Sequence, residues 1–294
     1  ISSAQIFGLH ANLYKKNRNA NPNFKFVLDS LTSKDERSKS PLDLQIRSLI
    51  IRNSSVTYDE LDAPITRRKF NPKHLDLRNI SGHLNLNELT DNRISFTSEG
   101  LSFKEVSGLE VLNLAFEGVA DKKQAKLRGL KLQLANSRIL IPSIYFQFKH
   151  INDELDLNSL RAKVSIKDSY VTPFDVASFM PQLSSFKQKV FIDGKLESIG
   201  RKVKINSLNI LSDNNDVRVE IRGIINDIET FNNFNLFAKR VSIKTEIIKK
   251  VSSLFHIDIP KELYNLGSIQ YSGIVKKVNS EYTVNGKLNT SEGN

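Results

Sequence analysis

Val217-Arg218-Val219-Glu220-Ile221-Arg222 alternates strictly between aliphatic and charged residues. The same period of two recurs at residues 42–47, 130–134, 144–149 and 161–167. Successive side chains of a β-strand point to opposite faces, so each run predicts a strand with one apolar and one polar face. Shorter runs of this kind bring the total well above ten strands, and the sequence therefore predicts an all-β chain with a few short helices.

Short turn sequences separate these runs and predict hairpins. We place turns at Ser81-Gly82, Ser98-Glu99-Gly100, Ser107-Gly108, Asp193-Gly194, residues 212–216 and Asn285-Gly286. The segment at about 58–72 contains two prolines and a basic cluster, and it is predicted to be an irregular surface loop.

Two inserts, at about 173–189 and about 244–265, change from the strand period to a helical one. In the first, Thr172 is a candidate cap and Pro173 suits the first helical position, while Pro181 ends or kinks the helix. Each insert is followed by an apolar-x-Gly strand, so a strand-helix-strand unit occurs twice. A shorter repeat is the pair of a polar residue and serine at Asn53-Ser54, Asn136-Ser137 and Asp168-Ser169.

The composition suits a folded chain of 294 residues, with 39% hydrophobic and 26% charged residues. Cysteine is absent, which excludes disulfides and thiolate metal sites. No apolar run reaches about 18 residues, so no transmembrane helix is predicted. Because the chain opens on Ile1 and ends in a polar run, we expect residues 1–294 to be one continuous, repetitive segment of a longer protein.

The net charge is +11, from 43 Lys and Arg against 32 Asp and Glu. Such an excess favours anionic neighbours such as phospholipid headgroups, acidic glycolipid or nucleic acid, or it only solvates a polar face. The densest basic groups lack the interleaved aromatic residues of a single-strand binding surface. No nucleic-acid partner is therefore predicted.

No residue pattern for catalysis or metal binding stands out. The five histidines are not paired at metal-ligand spacing on one element; they are His10, His74, His83, His150 and His256. The sequence also has no glycine-rich phosphate loop, nucleophile elbow or zinc helix. We therefore predict that the chain is not an enzyme and has no metal and no cofactor.

The apolar rows of the predicted strands leave two possibilities. A sheet that closes or stacks makes them an ordinary core, whereas a sheet that stays open makes them a long hydrophobic trough. Exposed apolar surface costs about 25 cal/mol per Å² and marks a binding groove, and acyl chains suit such a groove because they need only apolar contact. Polarity selects these candidate lining residues: Leu130, Leu132, Leu134, Ile144, Phe146, Phe148, Val164, Ile166, Val217, Val219 and Ile221.

Six stretches carry a family resemblance that covers most of the chain. They are residues 49–59, 70–77, 171–181, 190–196, 219–225 and 259–273. In spacing and residue class they resemble the AsmA-like envelope proteins, and most closely the TamB type of Bacteroidota. The resemblance implies an elongated, strongly curved, open antiparallel sheet, a β-taco, with an apolar inner groove.

The resemblance also implies a place in the bacterial periplasm. The parent protein would be anchored in the inner membrane and would meet an outer-membrane barrel assembly partner, both through regions outside this segment. Proteins of this family are linked to phospholipid movement to the outer membrane and to protein assembly and secretion, as part of a translocation and assembly module.

Three functional hypotheses follow. The first is a non-enzymatic bridge that conducts phospholipid between inner and outer membranes, with acyl chains in the groove and headgroups in water. The second is a scaffold that inserts outer-membrane proteins by pairing its sheet edge with their strands. The third is a secreted β-solenoid carbohydrate enzyme, which the predominantly basic polar phase disfavours.

Overall fold

A computed structural model describes residues 3–17, 19–25, 47–66, 69–89, 93–151, 154–155, 158–255 and 260–292. The strands are β1 (Ser3–Phe7), β2 (His10–Lys15), β3 (Ser48–Glu60), β4 (His74–Leu89), β5 (Arg93–Glu105), β6 (Glu110–Asp121), β7 (Gln124–Leu134), β8 (Arg138–Gln147), β9 (His150–Ile151), β10 (Glu154–Leu155), β11 (Arg161–Val171), β12 (Val190–Ile199), β13 (Lys202–Ser212), β14 (Val217–Ile225), β15 (Asn233–Lys244), β16 (Ser268–Val278) and β17 (Glu281–Thr290). The helical elements are α1 (Thr245–Phe255) and the 3-10 helices Pro173–Val176, Pro181–Ser185 and Lys261–Asn265.

Fifteen strands form one open sheet, which confirms the prediction of a mostly β chain with an open sheet. The strand order is β1, β3 to β8, then β11 to β17, and β2 pairs with β3 beside β1. β9 and β10 form a separate two-stranded sheet within the connection between β8 and β11. From β3 onward, strands that neighbour each other in the sheet are therefore also close in the chain.

The prediction of a purely antiparallel sheet is wrong at one edge, because the sheet is mixed. β1 and β2 both run parallel to β3, with Ser3 opposite Ser48 and His10 opposite Ser55. Parallel neighbours need a connection of a dozen or more residues, and the chain between Lys15 and Ser48 is longer than that. Of the predicted strand at 42–47, residues 42–46 lie outside the described residues.

Four of the predicted turns are also wrong, because they lie inside strands. Gly82 belongs to β4, Gly100 to β5, Gly194 to β12 and Gly286 to β17. The short runs on either side of each glycine are therefore single strands, of up to 16 residues in β4. Glycine accepts the backbone of a β-bulge as readily as that of a turn, so the sequence does not separate the two.

The two helical inserts differ from each other. Residues 173–189 hold only 3-10 helices, because Pro181 has no N–H and constrains the residue before it, so an α-helix does not pass through it. Residues 244–265 hold α1 and a 3-10 helix, with 256–259 outside the described residues. The irregular connection between β3 and β4 follows Glu60 and ends before His74.

The chain divides into two compact units, which are described separately. Unit 1 comprises Ile1–Lys122, Leu130–Asn136 and Asp175–Pro181. Unit 2 comprises Lys123–Gly129, Ser137–Phe174 and Gln182–Asn294.

A hydrophobic core cluster lies in unit 1. Its buried members are Leu109, Val111 and Leu134, and Phe70 and Val176 pack against them. The described residues of unit 2 bury only three apolar side chains, those of Ile205, Ile225 and Ala238. Among the described residues, both units therefore bury few apolar side chains, and unit 1 gathers three of them into one cluster.

Candidate functional site

Unit 2 has one sheet face lined by apolar side chains, called here the apolar face. Residues directly opposite each other in adjacent strands project to the same side of a sheet, so the strand register identifies the face. One row crosses eight strands through Ile144, Val164, Leu196, Ile205, Gly223, Leu236, Val275 and Val284. A second row follows Ile192, Ile210, Val219, Val241, Tyr271 and Leu288.

Seven of the eleven candidate lining residues lie on the apolar face. They are Ile144, Phe146, Val164, Ile166, Val217, Val219 and Ile221. Leu132 and Leu134 instead pack in the core cluster of unit 1, where Leu134 is only 2% exposed. Leu130 and Phe148 are half-buried. Contact of any of these residues with lipid stays a prediction.

The side chains of the apolar face are only partly covered. Most aliphatic residues of β11 to β16 on this face are half-buried. On β17 the apolar side chains are exposed, by 63% for Tyr282, 62% for Val284 and 59% for Leu288. The apolar face is therefore exposed at the β17 edge and partly covered on the strands before it.

The strands of each unit carry β-bulges near their middle, and these form what is called here the bulge line. In unit 2 a register shift occurs in every pairing from β11–β12 to β15–β16. In unit 1 shifts occur in the β3–β4, β4–β5 and β5–β6 pairings. A bulge bends its strand and increases the local twist. Bulges at the same level of neighbouring strands therefore favour a bend of the sheet.

Two bulges share one construction, in which a left-handed polar residue precedes a buried serine. Asn53 has φ 48° and Asp168 has φ 49°. The serines that follow, Ser54 and Ser169, are each 2% exposed. The Ser169 hydroxyl accepts a hydrogen bond from the Leu140 N–H at 2.8 Å and lies 3.2 Å from the Leu140 carbonyl oxygen. The serine hydroxyl thus takes the place of backbone hydrogen bonds between the strands that the bulge interrupts.

Glycine is required at two positions of the bulge line in unit 2. Gly223 and Gly273 have φ 149° and 153°. A Cβ atom at Gly223 would lie 2.2 Å from the carbonyl oxygen of Asn235, and one at Gly273 would lie 2.2 Å from that of Asn285. Because both obstacles are backbone atoms, no side-chain movement relieves the overlap.

Titratable groups in unit 1 are held in ion pairs rather than in a catalytic cluster. The imidazole of His74 lies 2.9 Å from Asp59 and 3.0 Å from a backbone carbonyl oxygen, and both acceptors raise the pKa of His74. Glu60 is bound by Lys15 and Lys73, each at 3.1 Å, and these hydrogen bonds lower the pKa of Glu60. Across the described residues, no three His, Asp or Glu side chains converge as a metal site would require.

Within the described ranges, every helix is too short or too polar to cross a membrane. Comparisons of the chain with protein-family models, with curated proteins and with solved structures gave no match. Function is therefore inferred from the surfaces described above.

Proposed function

We propose that this chain conducts phospholipid by holding acyl chains against the apolar face of unit 2. The observation that carries the proposal is the continuous row that crosses eight strands from Ile144 to Val284. Covering such a surface with an acyl chain gains about 0.8 kcal/mol per buried CH₂. Acyl chains need no hydrogen-bond partners, so an aliphatic surface of this kind accepts them in any register.

Movement along this surface would be passive. Each methylene group that leaves one aliphatic contact enters the next, so the free energy changes little along the path, while the headgroup stays in water. We infer that the bulge line curves the sheet into a groove whose inner wall is the apolar face. The net charge of +11 favours anionic headgroups beside it.

The cellular setting of the proposal comes from the resemblance to the TamB type of AsmA-like proteins. On this proposal, the parent protein bridges the periplasm from an inner-membrane anchor and supports outer-membrane biogenesis. No step of the mechanism needs a catalytic residue, a metal or a cofactor.

Photocrosslinking tests which face meets lipid. A benzophenone amino acid is placed at Val219 on the apolar face or at its chain neighbour Glu220 on the opposite face, and the purified protein is irradiated with phospholipid vesicles. Mass spectrometry is expected to find lipid adducts at position 219 and few at 220. Equal adducts at both positions, or none at 219 in a folded protein, would refute the proposal.

Transfer of a fluorescent phospholipid between vesicles tests conduction itself. Val219→Arg or Ile221→Asp puts a charge in the acyl path, and desolvating it costs more than about 1.4 kcal/mol, so the transfer rate should fall at least about tenfold. The control Arg240→Asp changes a charge on the opposite face and should leave the rate unchanged. A normal rate in folded Val219→Arg would show that these residues do not line the path.

A second candidate function is strand pairing, which the edge strand β17 favours. Among the described strands, β17 has a neighbour only in β16, and its side chains Tyr282, Val284 and Leu288 are 59–63% exposed. An incoming outer-membrane strand could add to this edge by backbone hydrogen bonds. Crosslinks from β17 to a strand peptide, without lipid adducts at Val219, would favour this function over lipid conduction.

A further inference from the structure

A cavity of about 330 Å³ opens on the face of unit 2 opposite the apolar face, called here the polar face. It is lined by Asn206, Ser207, Asn209, Glu220, Ile221, Arg222, Phe237 and Lys239, of which Ile221 belongs to the apolar face by its register. β14 has a register shift against both β13 and β15 at this level, so bulges flank it on either side. Bulges interrupt the ladder and redirect side chains, which accounts for a depression in an otherwise continuous sheet.

The surroundings of the cavity are strongly basic. The three strands that form it carry seven basic residues and one acidic residue: Lys202, Lys204, Arg218, Arg222, Lys239, Arg240, Lys244 and Glu220. Glu220 is neutralised by Arg218 at 2.8 Å and Lys239 at 3.1 Å, which also lower the pKa of Glu220. Arg222 takes part in none of the ion pairs among the described residues of these strands. The cavity therefore has a surplus cation.

An apolar platform lies beside this cation. The guanidinium of Arg222 stacks 4.9 Å from the ring centroid of Phe237. Phe237 is opposite Ile274 in the β15–β16 register, and the two side chains are 37% and 46% exposed on the polar face. An aromatic ring and an aliphatic side chain in the polar phase of their strands offer a small hydrophobic surface next to a charge.

We propose that this cavity binds an acidic saccharide. Arg222 would hold the carboxylate, since a guanidinium fork matches carboxylate geometry with two parallel hydrogen bonds. The amide of Asn209 and the Oδ1 of Asn206, whose Nδ2 donates to Glu197 at 3.1 Å, would meet the sugar hydroxyls. The C–H face of the ring would lie on Phe237, beside Ile274. The charged and amide groups that line the cavity would lose water against an acyl chain, and a bare inorganic anion would leave the platform unused. A volume of about 330 Å³ lies at the small end of the range for ligand pockets.

Titration calorimetry on the full chain tests this proposal with methyl β-glucuronide and, as its neutral counterpart, methyl β-glucoside. The glucuronide should bind at least about tenfold more tightly than the glucoside, a difference that one charged hydrogen-bond pair supplies. Arg222→Gln should abolish that preference, and Phe237→Ala should weaken both ligands. Arg240→Gln, which removes a nearby cation outside the cavity, should change neither.

Circular dichroism establishes that each variant is folded. Equal binding of the two sugars by the wild type would overturn the proposal, as would an unchanged preference in folded Arg222→Gln. Inorganic sulfate that competes as well as the glucuronide would reduce the site to a simple anion site and would overturn it too. Because the substituted residues Arg222 and Phe237 lie on the side of the sheet opposite the apolar face, these outcomes are independent of lipid conduction.

Discussion

Unit 1 and unit 2 are built from the same kind of alternating strand but differ in what covers the apolar side chains. In unit 1, Phe70 from the β3–β4 connection and Val176 from a 3-10 helix pack on a cluster that contains Leu134. In unit 2, the side chains of the aliphatic rows are half-buried or exposed, except for the buried Ile205, and the described residues form no such cluster. Alternation therefore determines which side chains share a face, whereas segments outside the strands determine whether that face is covered.

The largest expected effect comes from the same substitution made once in each unit. Val111, which is 4% exposed in unit 1, has no room or partner for a cation, so Val111→Arg should cost about 4 kcal/mol or more of unfolding free energy. Val219→Arg on the apolar face of unit 2 can extend into water and should cost about 1 kcal/mol or less. Urea unfolding followed by circular dichroism measures both. Equal losses would mean that the two faces are equally covered.

A second effect tests whether the bulge line depends on glycine. Gly223→Ala brings a Cβ against the backbone of β15 and should cost about 3 kcal/mol. Gly129→Ala is the matched control, because Gly129 also has positive φ, 57°, but its new Cβ would meet nothing within 4 Å. It should cost only about 1 kcal/mol, from the backbone conformation alone. A Gly223→Ala protein as stable as the Gly129→Ala protein would contradict the close strand approach.

A smaller loss of stability is expected in both units when the buried serine at a bulge is replaced. Ser54→Ala and Ser169→Ala each remove a buried hydroxyl that satisfies backbone groups beside a bulge. Each should cost about 1–3 kcal/mol, the usual penalty for an unsatisfied buried group. Thermal or urea unfolding checks the values. A loss in only one of the two variants would show that the two bulges are not equivalent.

The smallest effect is a pH dependence of stability near neutrality, which arises from His74 in unit 1. Asp59 and the adjacent carbonyl raise the pKa of His74 above its usual 6.5. The stabilisation from protonated His74 is therefore complete below pH 6.5 and is lost as pH rises through the raised pKa. An NMR titration of the imidazole should give a midpoint above 6.5, and His74→Gln should remove this pH dependence of stability. A midpoint at or below 6.5 would refute the ion pair in solution.

The sequence predicted which segments are strands, because strict alternation of apolar and polar residues indicates a strand with one face in water. Strand ends did not follow from it. Gly82, Gly100 and Gly194 carry the same residue signal at a bulge as in a turn, and only pairing with neighbouring strands separates the two. The parallel edge was missed for a related reason, since β1 and β2 find their partner far along the chain.

The sequence predicted the residues of the apolar face only in part. Pattern alone put Leu134 and Val219 in one lining set, although a loop residue covers the first. The cavity of the polar face was missed, yet β15 contains a signal for it. Phe237 interrupts the alternation of that strand by putting an aromatic ring among polar side chains. Such an aromatic residue out of phase indicates contacts on the face that is otherwise solvated.

The nearly sequential strand order has a consequence for the kinetics of folding. From β3 to β17, neighbouring strands are joined by short connections, apart from the longer one between β3 and β4 and those that hold the helices and β9–β10. Each new strand therefore closes a small loop and can add to a template that already exists. β1 and β2 instead pair with residues of β3 that lie 45 positions further along the chain. Pulse-labelling hydrogen exchange should find their amides protected last, after the hairpins between β3 and β6.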